Sequence, residues 1–382
     1  MRKLIILRQL ALLSGLLALV ACAGPGPAPS QAAQAYSRAA LLDGSVLGLP
    51  PELKPPAPQL LAVNDDMRAF LAEHTPRKAN KKQKVEQILR AILDDGLRLD
   101  YNLFHTLTAE EAFYTREGNC MSFTNLFVAL AREAGIPARF QEVEVPPTWE
   151  ARNETWLYNK HLNAVVDLPG GSMMVDFAME SFDTEYKRHL LDDEEVQARY
   201  HNNMGVHLMM DHEFTSAYLH FSRAISLAPD TGYFWTNLGS LYRRAGEEAA
   251  AEAAYLRAID VSREPAAMSN LARLYRQQDK ENLAVWYEGK VELFRLHNPY
   301  YLHELALQAF EAGDYPLAVS RSRSALRLDK AQHEIYRLLG LSYVALGQLD
   351  DAGEAFTAAA RLAESDEQKA GYSKKIRLLA GH

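Results

Sequence analysis

Hydrophobic positions set a helical period soon after residue 84. Val85, Ile88, Leu89, Ile92 and Leu93 fall at i, i+3, i+4, i+7 and i+8, which predicts one apolar helix face. Gly96 follows as a C-cap. Phe123, Leu126, Phe127, Leu130 and Ala134 repeat the pattern, and Gly135-Ile136-Pro137 ends that helix. The period then drops to two. Ala138 to Val145 alternates as a strand, and "HLNAVVDL" and "SMMVDFA" predict two more around Pro169-Gly170-Gly171. A turn centred on Leu168-Pro169 places His161 opposite Asp176. Leu162, Ala164, Val166, Met173, Val175 and Phe177 then share the other face, which packs on the helix after Cys120. A turn centred on Gly170-Gly171 instead displaces the two residues along the strands.

From Ala198 onward the pattern is helical and repetitive. Gly205, Gly239, Ala272, Ala306 and Gly340 recur at steps of 33 or 34 residues, and Ala217, Ala251, Ala284, Ala318 and Ala352 follow in phase. Small residues at fixed points mark places where two helices approach closely. This is similar to the tetratricopeptide repeat, with two antiparallel helices per unit. Five units fit 198–366, the third (Pro265 to Asn298) being the most degenerate, and 367–382 supplies a capping helix through Tyr372, Ile376 and Leu379. Asn202, Asn237 and Asn270 recur in the first helices of three units. They suit either clamping of an extended peptide or bonding between repeats.

The first residues change the setting. Met1-Arg2-Lys3 is basic, Leu10 to Val20 is apolar, and small residues precede Cys22. "LVAC" (19–22) resembles the bacterial lipobox. That resemblance implies a signal peptide over 1–21, lipid on Cys22, and anchoring to a membrane outside the cytoplasm. Ala23 after the cysteine points to the outer membrane. Residues 22–60 are rich in Pro and Ala and predict a semi-extended tether, with a short helix near 32–42. The net charge of -8 gives no footprint for nucleic acid. The one basic run, Lys78 to Lys84, reads as a solvated loop or helix start.

Only two cysteines occur, so a lipidated Cys22 leaves Cys120 without a disulfide partner inside the chain. Cys120 precedes the second apolar stripe and so stands at a helix N-terminus. Backbone N–H groups there favour the thiolate and can hold an oxyanion. Asn119 and Tyr114 either line that oxyanion site or serve as loop residues. A thiolate nucleophile needs a base and an orienter, for which His161 and Asp176 are the candidates, with Asp167 as a rival orienter. Trp149 and Trp156 wall an acyl channel or sit in the core. His207 and His212 lie in a repeat helix with no metal-site pattern, and no metal or organic cofactor is expected.

"EGNCMSFTNLFVALAREAGIPARF", with "HLNAVVDLPGGSMMVDFA", resembles the transglutaminase-like core, a branch of the papain-like cysteine enzymes. The resemblance covers roughly 84–182. It implies an α+β domain over 61–196 with Cys120 as nucleophile, His161 as general base and acid, and Asp176 as its orienter. The usual His-Ala-Trp reads His161-Leu162-Asn163 here, and Asp-Pro reads Asp176-Phe177.

The expected function is therefore thiol-dependent acyl transfer on protein or peptide amides. Hydrolysis is favoured over transfer to an amine, since water competes unless a site excludes it. The repeats are expected to recruit a protein or peptide. The alternative is a non-enzymatic envelope scaffold with a relic core, against which the three filled triad positions speak. With core and array as separate domains, each is expected to fold without the other.

Overall fold

The computed structural model describes residues 28–380, apart from 29, 51, 77, 104, 144–150, 153–154, 157–160, 178–187 and 364–365. The signal peptide, Cys22 and Trp149 lie outside the described residues, as does the side chain of Trp156. Among the described residues no helix is long and apolar enough to cross a membrane. Two compact units emerge, one covering Gly26–Ala284 and the other Val285–His382. The division falls inside the third repeat, the one with the weakest pattern.

The first unit begins with a short helix, α1 (Gln31–Gln34), and then builds the core. Helix α2 (Asp65–His74) starts where the Asn64 side chain accepts from Met67 N–H, and α3 (Lys81–Arg90) starts with an Asn80–Gln83 capping box. Val85, Ile88 and Ile92 are buried, but Leu93 is 40% exposed. The reason is a π turn at Ala91–Asp95, whose wider winding rotates Leu93 out of the predicted stripe. Gly96 ends it as the C-cap (φ -122°, ψ -90°), where an added Cβ would lie 2.4 Å from the Ala91 carbonyl oxygen. Strands β1 (Asp100–Tyr101) and β2 (Glu117–Gly118) pair in parallel around α4 (Ala109–Thr115).

Helix α5 (Cys120–Glu133) is the centre of the core. Every residue from Met121 to Ala131 is buried, not the single stripe that periodicity predicts. Helices α2, α3 and α4 cover one side and the sheet covers the other. That sheet runs β5–β4–β3–β6, with β3 (Ala138–Val143), β4 (His161–Leu168), β5 (Gly171–Val175) and β6 (Arg188–Leu191), all antiparallel.

The hairpin register corrects the sequence reading. Leu168 pairs with Gly171 and Ala164 with Val175, so the turn is Pro169-Gly170. Asp176 therefore continues opposite Asn163, with His161 diagonal to it. The shift is two in pairing partner, so strand faces are kept. Leu162, Ala164, Val166 and Val175 join the α5 core, and Met173 and Phe177 pack against it.

Residues 30–48 are not a semi-extended tether but a strap packed on the chain, with the short helix at Gln31–Gln34. Ala33 and Leu41 are 4% and 2% exposed. Ser30 N–H donates to Glu252 Oε1 (2.8 Å), and the Tyr242 hydroxyl donates to the Leu41 carbonyl (2.6 Å). Proline and alanine give no periodicity, yet main-chain groups of the strap find buried partners on the second repeat.

The repeats within this unit are α6 (Asp193–Met210) with α7 (Phe214–Leu227), α8 (Gly232–Arg244) with α9 (Glu248–Ser262), and then α10 (Pro265–Gln277). The in-phase glycines make close contacts. A Cβ on Gly205 would stand 2.7 Å from the Phe221 ring, and one on Gly239 would stand 2.7 Å from Tyr255. Asn237 Nδ2 donates to Asn202 Oδ1 (2.7 Å), and Asn270 Nδ2 reaches Ser240 Oγ (3.4 Å). These amides bond inside the array, which is the second of the two roles open to them.

Helix α6 belongs to the core as much as to the repeats. Val196 and Tyr200 are part of the α5 cluster, and Met204 packs on it. Arg199 Nε donates to Glu142 Oε2 on β3 at 2.5 Å, with side chains 11% and 6% exposed. The boundary drawn at 196/198 thus cuts through a shared core, and the expected independence of core and array fails on this helix.

Helix α11 (Glu281–Leu296) runs across the division, and the second unit continues with α12 (Pro299–Glu311) and α13 (Tyr315–Leu328), and α14 (His333–Ala345) with α15 (Leu349–Leu362). Gly340 lies under Phe356 as Gly205 lies under Phe221. Helix α16 (Asp366–Ala380) closes the unit, with Tyr372 buried and its hydroxyl 3.0 Å from His333 Nδ1.

Candidate active site

Cys120 is the first residue of α5 and is partly buried. Asn119 fixes that start. Its Oδ1 accepts from Met121 and Ser122 N–H (3.1 and 3.2 Å), and its Nδ2 donates to Thr106 Oγ1 (2.6 Å). Ser122 Oγ donates to the His105 carbonyl and accepts from Leu107 N–H, both at 2.8 Å. The loop His105–Leu107 is thereby tied to the first turn. Gly118 must be glycine here, since a Cβ would lie 2.4 Å from Ser122 Cβ.

The predicted oxyanion role for helix N–H groups narrows as a result. Asn119 already satisfies Met121 and Ser122, and Phe123 N–H bonds to the Asn119 carbonyl (3.1 Å). Among the described residues the Cys120 N–H has no acceptor. Asn119 itself is a cap. Tyr114 is elsewhere: its hydroxyl donates to Asp66 Oδ2 (2.7 Å) and accepts from Asn64.

His161 opens β4 and is 6% exposed. Its Nε2 donates to Asp176 Oδ1 at 2.7 Å, and its ring also hydrogen-bonds the Cys120 side chain. Burial works against a charged imidazole. The hydrogen bonds and negative charges of Asp176 and Cys120 outweigh it, and the imidazole is pushed up to about 9.

Asp176 is held by a second partner, which sequence reasoning passed over. Asn163 Nδ2 donates to Asp176 Oδ2 at 2.8 Å, and Asn163 is 1% exposed. A signal was present, because residues two apart on a strand share a face and Asn163 is two beyond His161. Asp167 does not orient the imidazole. It pairs opposite Ser172 at the far end of β4, accepts from Ser172 Oγ, and forms an ion pair with Arg139 at 2.8 Å. The structure thus brings Cys120, His161 and Asp176 into one chain of contacts.

His207 lies in α6 and His212 just past it. Among the described residues no group of three or more His, Cys, Asp or Glu is placed to hold a metal ion.

A proton donor poised between a carboxylate and a thiol is the arrangement that thiol acyl chemistry requires. Comparisons with known proteins agree with this architecture. Residues 68–172 match the model of the transglutaminase-like superfamily, and residues 233–265 and 333–366 match that of the tetratricopeptide repeat. No curated protein matches the chain. Among solved structures, the APC/C hetero-tetramer Cut9-Hcn1 is similar at 23% identity and a TM-score of 0.25, covering 49% of this chain and 37% of that one. The chain thus spans little more than a third of that neighbour. YrrB, described as a TPR protein with an unusual peptide-binding site, is 15% identical over 48% of this chain and 94% of its own, with a TM-score of 0.25. Pseudomonas aeruginosa pilF is 12% identical over 50% and 90%, with a TM-score of 0.26.

Proposed function

We propose that this chain, which carries a transglutaminase-like core and tetratricopeptide repeats, is a thiol-dependent acyl-transfer enzyme acting on protein or peptide amides. The observation that carries the proposal is the Cys120–His161–Asp176 contact chain at the start of α5. The Cys120 thiolate attacks the amide carbonyl, forming a C–S bond while the carbonyl π pair moves to oxygen. His161 gives its proton to the leaving nitrogen, the C–N bond breaks, and a thioester remains. Water then attacks the thioester, His161 takes its proton, and the C–S bond breaks to release a carboxylate and the thiolate. An amine in place of water gives a new amide. Asp176, held by Asn163, keeps the imidazole aimed at the thiol throughout.

Tetratricopeptide repeats generally mediate contacts between proteins. In this reading they present a protein or peptide to the core. The "LVAC" motif supports lipid on Cys22 and a place in the bacterial envelope, at the outer membrane facing the periplasm. Cys22→Ala would then move the protein from the membrane to the soluble fraction, and equal retention of the variant would contradict the anchor.

The enzymatic reading is tested by incubating envelope peptides with the protein and with Cys120→Ser, then comparing them by mass spectrometry. New termini or deamidated side chains made only by the wild type indicate hydrolysis, and amine-linked peptides indicate transfer. No Cys120-dependent product would favour the scaffold alternative.

A further inference from the structure

We infer that Tyr101 completes an oxyanion site at Cys120, its hydroxyl donating a second hydrogen bond beside the Cys120 backbone N–H. The inference rests on Cys120 being the nucleophile. When the C–S bond forms, the carbonyl π pair becomes a charge on oxygen, and no proton needs to move to stabilise it. Such sites work with donors fixed in advance. At this helix start the supply of donors is short. Met121, Ser122 and Phe123 N–H are all engaged by Asn119. Only the Cys120 N–H is left among the described residues of the first turn, so a second donor has to come from a side chain.

The nearby side chains are mostly committed. Ser122 Oγ donates to the His105 carbonyl, Thr124 Oγ1 to the carbonyl of Cys120 itself (2.7 Å), and Asn163 Nδ2 to Asp176. Asn119 Nδ2 is spent on Thr106. Tyr101 is different. Its strand pairs it with Gly118, two residues before Cys120, and its ring stacks on Phe123 with centroids 6.4 Å apart and planes at 24°. Phe123 is one turn along α5 from Cys120, on the same face. Phe177, next to Asp176, also packs on Phe123, with centroids 4.8 Å apart. Both rings thus meet Phe123, and Tyr101 is 56% exposed. Among the described residues its hydroxyl has no partner. Partial burial, and then the charge of Cys120, push the phenol up from its ordinary value, so it stays protonated and able to donate.

Tyr101→Phe removes the hydroxyl and keeps the ring stack. Two reactions of Cys120 separate the roles. Acetylation by p-nitrophenyl acetate passes through an oxyanion, whereas alkylation by iodoacetamide is a displacement at carbon that forms none. Loss of one oxyanion donor lowers rates by about 10²–10³. We expect Tyr101→Phe to slow acetylation of the full chain by about 10² while alkylation is unchanged. Equal acetylation of variant and wild type overturns the role of Tyr101 alone, and so does a parallel fall in both reactions, which would mark a packing role. A wild type that forms no acetyl adduct at Cys120 overturns the nucleophile and this role with it.

Discussion

The imidazole of His161 stands between a carboxylate and a thiol, and the two neighbours favour its charge strongly enough to overcome burial. Its folded value of about 9 lies above the ordinary 6.5. The proton is therefore held more tightly in the native state. The stability this adds is fully present below about pH 6.5, and it is lost as pH rises through about 9. An NMR titration should put the His161 ring midpoint near 9. In Asp176→Ala the burial stays while the main hydrogen bond goes, so the midpoint should fall and the alkaline edge of activity should fall with it. A midpoint in Asp176→Ala as high as in the wild type would show that the carboxylate does not hold the proton. That His161 and Asp176 come together was legible in the sequence, because strand parity survives a two-residue shift of register. The turn itself was not legible, since Leu168-Pro169 and Gly170-Gly171 are both good turn pairs and Pro169-Gly170 lies between them.

At the scale of elements, glycine tells apart close approach and mere habit. Gly239 lies under the ring of Tyr255, whereas nothing stands within 4 Å of a Cβ built on Gly353 in α15. Gly239→Ala should overpack the helix pair and cost about 1–3 kcal/mol. Gly353→Ala should add about 0.5–1 kcal/mol, because alanine is the better helix former. Urea unfolding midpoints of the two variants should move in opposite directions, and a shared sign would refute the packing argument. The repeat phase was readable because the small residue and the aromatic sixteen positions later are both in the sequence, as Gly205–Phe221, Gly239–Tyr255 and Gly340–Phe356. The strap at 30–48 was not readable. Its attachment uses main-chain atoms of Ser30 and Leu41, which residue type does not announce. Leu93 misled for a similar reason, since a π turn leaves no mark in the hydrophobic period.

For the whole molecule, the notable coupling runs through α6, which serves the core with Val196, Arg199 and Tyr200 and pairs with α7 in the first repeat. Arg199→Ala removes one side of the buried Arg199–Glu142 pair, a loss that costs about 3–5 kcal/mol in comparable pairs. Its unfolding midpoint should drop accordingly, and a drop no larger than that of an exposed arginine variant would mean the pair is not buried in solution. A chain ending at Val196 should lose Cys120 reactivity together with its fold, because Arg199, Tyr200 and Met204 go with the deleted helix. Repeat boundaries read from periodicity could not reveal this, since one helix can satisfy the repeat pattern on one face and a neighbouring core on another.

The central claim, that Cys120 is an activated nucleophile held by His161, is tested most directly by acylation of the full chain with p-nitrophenyl acetate, followed by mass spectrometry of intact and digested protein. A single acetyl group on Cys120 is expected, and His161→Ala should form it slower by about 10² or more, the usual contribution of a positioned base. Acetylation of Cys120 at the same rate in the wild type and in His161→Ala would contradict the claim.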